Sequence, residues 1–247
     1  MRIIGVYSIK GGVGKTATAV NLAYLAAEGG SRTLLWDLDP QAAATFYLRV
    51  KPKVKGGGKS LAHGRADLDG LVKATDFDRL DLLPGDFSLR NMDLMLEDAK
   101  RPTKRLLRLL RPLSDAYDRV FLDCPPSISL LSENVFRAAD LLLVPTVPTT
   151  LSERTLDQLT GFLAEHVRAS GLAVLPFFSM VNAGLPLQAG LMERLTARYP
   201  EMLRTAIPLA ADVEYMGIHR MPLQVYAPDS PAAQAYRALW AEVQDAG

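Results

Sequence analysis

An apolar run from Arg2 to Ser8 leads through Ile9 into Lys10-Gly11-Gly12-Val13-Gly14-Lys15-Thr16, and an alanine-rich stretch follows at once. The first segment reads as a buried strand and Thr16 to Glu28 as a helix, with Gly29-Gly30 to stop it. A strand, a loop of small residues and a helix in direct succession allow few folds. Small residues let backbone N–H groups turn inward onto phosphate oxygens, and the following helix adds its positive end. On that reading Lys15 reaches the β and γ phosphates and the Thr16 hydroxyl ligates magnesium. The usual spacing G-x-x-x-x-G-K-[ST] fails, because its first glycine falls on Ile9. The residues fit K-G-G-x-x-K-[ST] instead, with an extra lysine, Lys10, at the loop entrance.

Further apolar runs alternate with helical stretches, the pattern of a doubly wound, mostly parallel α/β sheet with helices on both faces. Strands are predicted near 33–37, 81–83, 119–123, 141–144, 173–181 and 203–207, and helices near 152–170 and 231–243. A chain of 247 residues with 49% apolar content can bury one full core, so a single domain over 1–247 is expected. The segment 51–65 breaks the alternation with Pro52, Gly56-Gly57-Gly58 and five basic residues, and reads as a mobile surface loop.

Net charge is +1, so no global field draws the chain to nucleic acid or anionic lipid, and any such binding needs a local patch. The strand begins at Ile3 with no signal peptide before it, and a lone cysteine, Cys124, offers neither an internal disulfide nor a closed metal site. A cytoplasmic location is expected.

Two apolar strands end in carboxylates. Thr33-Leu34-Leu35-Trp36-Asp37-Leu38-Asp39-Pro40-Gln41 places Asp37 and Asp39 at a carboxyl end, where open α/β sheets bind ligands, and alternation puts both on one side, facing magnesium and the γ phosphate. Val120-Phe121-Leu122-Asp123-Cys124-Pro125-Pro126 ends likewise at Asp123. With its extra lysine and these two motifs, the chain resembles the ParA/MinD family of deviant Walker ATPases. The segments Ala206-Ile207-Pro208, Met221-Pro222 and Ala235 to Leu239 extend the resemblance through most of its length. The resemblance implies an ATP- and Mg²⁺-dependent sandwich dimer that hydrolyses ATP and positions a cargo, with an adaptor that stimulates hydrolysis and nonspecific nucleoid DNA as the surface. It implies that Lys10 crosses to the partner's nucleotide and that Asp39 helps position the attacking water. Thr16, Asp37 and Asp123 fall to the metal, Asp123 through water. Lys10 through Ala17, with Asn182 and Pro208, fall to the nucleotide. Asn182 sits where relatives contact adenine and is suited equally to a turn.

Departures accompany the resemblance. Ala17 stands where a hydroxyl residue is common. Leu209-Ala210-Ala211-Asp212-Val213-Glu214 lacks the arginines that usually bind DNA. Basic alternatives are Lys100, Arg101, Lys104, Arg105, Arg108 and Arg111, of which Lys104, Arg108 and Arg111 share one helical face opposite Leu106, Leu110 and Leu113. The acidic tail after Trp240 argues against a MinD-like membrane helix. One cysteine cannot bridge an iron–sulfur cluster between subunits. An ATP-dependent ligase or amidotransferase-like enzyme on the same fold stays open as the alternative.

Overall fold

The computed structural model describes residues 1–54, 57–62, 68–98, 102–167 and 171–246. In chain order its first elements are β1 (Arg2–Val6), α1 (Lys15–Glu28), β2 (Thr33–Asp37), α2 (Ala43–Tyr47), α3 (Gly57–Ala62), β3 (Lys73–Ala74), β4 (Leu80–Leu83), α4 (Met92–Glu97) and α5 (Arg105–Leu110). The middle of the chain forms β5 (Arg119–Asp123), α6 (Leu130–Ala138), β6 (Leu141–Thr146), α7 (Thr150–His166), β7 (Ala173–Val181) and α8 (Pro186–Arg198). It closes with β8 (Ala206–Pro208), three one-turn helices, α9 (Ala211–Glu214), α10 (Met216–His219) and α11 (Leu223–Tyr226), and then α12 (Pro231–Asp245).

The strands form one sheet in the order β3-β4-β2-β5-β1-β6-β7-β8, parallel except for the edge pair β3/β4. Sequence neighbours β1 and β2 are separated by β5, and β6 continues on the other side of β1. The chain therefore reverses its winding beside β1, the kind of crevice where open α/β sheets take ligands. Both sheet faces are buried, which is why the central strands are unbroken apolar runs. One face packs Ile4, Val6, Leu35 and Phe121 against α1 and α12; the other packs Ile3, Trp36, Val120 and Leu122 under α3 to α8.

The predicted strands at 33–37, 119–123 and 173–181 match in their bounds. β1 ends two residues early, at Val6, because the chain leaves the sheet to form the loop. β8 begins at Ala206 rather than Leu203, since Arg204 and Thr205 give their N–H groups to Glu242 of α12 instead of to a strand. The two-residue β3 is too short to leave a periodic signal. The expected end of the helix at Ser170 lies outside the described residues, and the helix is assigned over Thr150–His166.

The segment 51–65 is not an open loop where it is described. Val54, Leu61 and Ala62 are buried in the core, and Asp86 Oδ2 accepts from Val54 N at 2.6 Å. Ser88 Oγ accepts from Gly58 N, and a Cβ at Gly58 would lie 2.9 Å from Ser88 O. There the glycine serves close packing rather than freedom.

Candidate nucleotide site

Three motifs meet because three adjacent strands end together. In the row β2-β5-β1, Asp37 pairs with Asp123 and Asp123 with Val6, so both carboxylates and the start of the glycine-rich loop share one level. A cleft of about 290 Å³ opens above them. Its walls include Gly11 through Ala17, Asp39 and Pro126, with Ile207 and Pro208 opposite.

Gly12 and Gly14 have φ of 69° and 86°, values a residue with a Cβ rarely adopts. Gly14 is constrained twice, since a Cβ there would come within 3.0 Å of Ser179 Oγ. It caps α1 without a side-chain bond, and the first turn carries no acidic residue. The first N–H groups of α1 are thus left for an anion.

Lys15 is buried, and its ammonium donates to Lys10 O at 3.3 Å. Burial pulls its pKa down, and Asp123 and Asp39 push it back up. A cation between two carboxylates and the loop stands where phosphate charge would collect. Lys10 itself is half-buried and is not among the residues lining the cleft; it lines a separate small cavity with Ser8, Thr146 and Ser152.

The two strand-end carboxylates differ sharply. Asp37 is fully buried and its carboxylate accepts from Thr45 N at 2.8 Å, Thr45 Oγ1 at 2.7 Å and Asp39 N at 3.2 Å. Burial nonetheless raises its pKa to about 6. Asp123 is equally buried, yet neither of its oxygens accepts a hydrogen bond. Burial first, and then the nearby charge of Asp37, push its pKa well above the usual carboxylate value. An orphaned buried carboxylate is costly and calls for a counter-charge. Thr16, which lines the cleft, is close enough to favour the ionised form of Asp123. Among the described residues no three His, Cys, Asp or Glu side chains gather to cage a metal. Mg²⁺ takes one or two carboxylates and completes its shell with water and substrate phosphates, and the orphaned Asp123 carboxylate near Thr16 offers such a ligand. The residues present therefore fit the ion.

Of the other expected site residues, Asp39 lines the cleft and accepts from Gln41 N at 2.9 Å. The expectation that both carboxylates of the β2 end face the cleft holds for Asp39 alone. Pro208 lines the cleft. Asn182 does not: its Oδ1 accepts from Gly184 N, its N–H donates to Gln188 Oε1, and it forms the turn into α8. Cys124 is buried and its thiol is pushed up by burial. Sequence reasoning passed over Thr45, Tyr47, Gly85, Ser179, Met180 and Glu214. A Cβ on Gly85 would sit 2.9 Å from both Asp37 Cγ and Asp39 O, so the Pro84-Gly85 pair was the available signal. Tyr47, Met180 and Glu214 line the cleft but carry no motif.

Lys100 and Arg101 lie outside the described residues. Lys104, Arg108 and Arg111 are exposed and Leu106, Leu110 and Leu113 buried, on α5 and the 3₁₀ turns that flank it. No helix among the described residues is long and apolar enough to cross a membrane.

With this geometry in hand, a family model described as an AAA domain matches residues 1–170. The chromosome-partitioning ATPase Soj of Thermus thermophilus is 36% identical over 98% of this chain and 95% of its own. The chain belongs to the ParA/MinD family of P-loop ATPases. The sporulation initiation inhibitor protein Soj of Bacillus subtilis is 30% identical over 98% of both chains. Among solved structures, cobyrinic acid a,c-diamide synthase from Mycobacterium smegmatis with bound ADP and magnesium superposes with a TM-score of 0.83 at 27% identity, over 99% of this chain and 94% of that one. As a family member with the loop and both strand-end motifs in place, the chain is an ATPase.

Proposed function

We propose that this chain is a ParA-type positioning ATPase in which two copies close face to face on two ATP molecules, and hydrolysis, stimulated by an adaptor protein, releases them from nonspecific nucleoid DNA and repositions a cargo. The observation that carries this reading is the placement of Lys10. A loop lysine that lines a cavity other than its own cleft is free to donate to the nucleotide of a facing copy, where water is excluded and a charge-assisted bond is strong.

Within one copy the roles follow from position. The loop N–H groups and the α1 N-terminus hold the β and γ phosphates, and Lys15 shifts from Lys10 O onto them. Asp123 and Thr16 would hold magnesium, which would neutralise phosphate charge. Asp37 acts from behind: by accepting from Asp39 N and from Thr45 it fixes the turn that carries Asp39. Asp39 is the cleft-lining carboxylate whose charge Lys15 feels, whereas Glu214 lies beside Tyr47. Asp39 therefore accepts the hydrogen bond that orients the attacking water. Pro208 and Met180 border the base.

Asp39→Ala should bind ATP with near-normal affinity, turn it over more slowly by about 100-fold or more, and accumulate as a dimer on size exclusion with ATP and Mg²⁺. Normal turnover in a strictly monomeric variant would sink the assignment. The likeness to a diamide synthase favours one alternative, an amide-forming enzyme on this fold. Turnover that rises with a small carboxylic acid and an amine donor, rather than with DNA and a protein, would select it.

A further inference from the structure

The segment after α2 and the edge strand β3 bring four cations to one groove of about 600 Å³: Arg49, Lys51, Lys53 and Lys73, over a floor that includes Val50 and Leu71. Among the described residues that line it none is a carboxylate, although Asp69 precedes Gly70 and Asp76 lies 3.7 Å from Arg49. Lys51, Lys53 and Lys73 are exposed, and among the described residues none of the three forms an ion pair. Lys51 and Lys53, on either side of Pro52, both line the groove. Converging like charges in a concavity focus the field even though the whole chain carries only +1. Lysine ammoniums bind backbone phosphates as point charges, and such contacts read no sequence.

Arg49 has a different task. Its guanidinium donates to His219 O and Arg220 O, each at 3.0 Å, and lies 3.7 Å from Asp76. It ties the groove to the C-terminal segment whose Val213 and Glu214 line the nucleotide cleft. From the other side, Ala43 and Tyr47 of α2 line the same cleft two to six residues before Arg49. The groove and the cleft have no lining residue in common, but α2 leads from one to the other and Arg49 bonds the segment that follows Glu214.

We propose that this groove holds the phosphate backbone of double-stranded DNA and that Arg49 links its shape to the nucleotide. The proposal rests on the positioning reading above and supplies the DNA surface that Leu209–Glu214, which carries no arginine, lacks. The competing surface is the exposed row Lys104, Arg108 and Arg111.

The test is fluorescence anisotropy of a labelled DNA duplex of arbitrary sequence, titrated across a salt series with Mg²⁺ and a nonhydrolysable ATP analogue. Three proteins are compared: wild type, Lys51→Gln/Lys53→Gln/Lys73→Gln and Lys104→Gln/Arg108→Gln/Arg111→Gln. Each phosphate contact adds about 0.9 to the slope of log affinity against log salt, so the groove variant should lose about 2.7 from the wild-type slope and bind at least about tenfold more weakly. The helix variant should keep the wild-type slope. All three should retain basal ATP turnover, which reports folding. Arg49→Gln should narrow the ratio of DNA affinities with and without nucleotide while the lysine charges remain. Wild-type affinity and slope in the groove variant overturn the proposal, whether or not the helix variant loses binding, and an unchanged ratio in Arg49→Gln overturns the link. Wild type that binds no DNA at all fails the positioning reading's DNA step itself, a result distinct from loss of the groove alone.

Discussion

Asp37 and Asp123 end neighbouring strands, pair in register and are both fully buried, yet only one of them is finished by the protein. Asp37 sits against Thr45 and the Asp39 amide, with Gly85 pressed behind it and its N–H on Thr45 Oγ1 at 2.9 Å. Among the described residues no group completes a hydrogen bond to either oxygen of Asp123, and Thr16 stands close by. Matching burial with opposite hydrogen bonding separates two tasks that sequence position alone would merge. A satisfied carboxylate holds a turn in place; an orphaned one marks where an external cation completes the structure.

The sharpest way to break this comparison is to remove each carboxylate in turn. Asp123→Asn should cut ATP turnover by more than about 100-fold, beyond the range seen when only a supporting partner of a metal site is lost. It should also raise the melting temperature of the nucleotide-free protein, because the cost of burying a carboxylate without hydrogen bonds, which Lys15 offsets only in part, disappears. Asp37→Ala should do the reverse to stability. It strands the buried Thr45 N–H and hydroxyl and should cost about 3 kcal/mol, while nucleotide affinity falls only modestly. Differential scanning calorimetry of the two variants beside wild type reads both signs. Shifts of the same sign would mean that the two carboxylates do not differ as described.

A smaller effect is expected from pH. Asp37 has a folded pKa near 6, and Asp123 is raised also, so between about pH 4 and 6 the native chain binds more protons than the unfolded one. Stability should therefore fall as pH rises through that window. The nucleotide-free protein should melt higher at pH 5 than at pH 7.5. Asp118, held down to about 2 by Arg32, loses its contribution only below about pH 4 and leaves the window clear. Asp123→Asn should make the profile shallower while leaving the part that Asp37 contributes; a wild-type melting temperature that climbs steadily from pH 5 to 7.5 would contradict both shifts.

What could be read in the sequence was local. The loop 10–16 and the two strand-end motifs each occupy a short stretch whose chemistry is written in its own residues. Their meeting at one level was not readable, because it depends on β5 inserting between β1 and β2. For the same reason alternation put Asp37 on the cleft side with Asp39, while its real partners lie eight residues on, at Thr45, and across the sheet, beside Gly85. Asn182 followed a resemblance in position, but the chain spends its side chain on the turn before α8. Polar and glycine-rich composition misled at 51–65, where three apolar residues, Val54, Leu61 and Ala62, were enough to anchor the described part. Lys10 was conspicuous as an extra residue; that it lines a cavity other than its own cleft is a property of the folded loop alone.

That placement also makes the central claim directly testable. Sedimentation velocity should be run on wild type and Lys10→Ala with Mg²⁺ and a nonhydrolysable ATP analogue, with nucleotide affinity measured alongside by calorimetry. If Lys10 serves the facing copy, wild type sediments as a dimer and Lys10→Ala as a monomer that still binds the analogue. Two proteins that sediment alike, both as monomers or both as dimers, would contradict an ATP-closed pair held by this lysine.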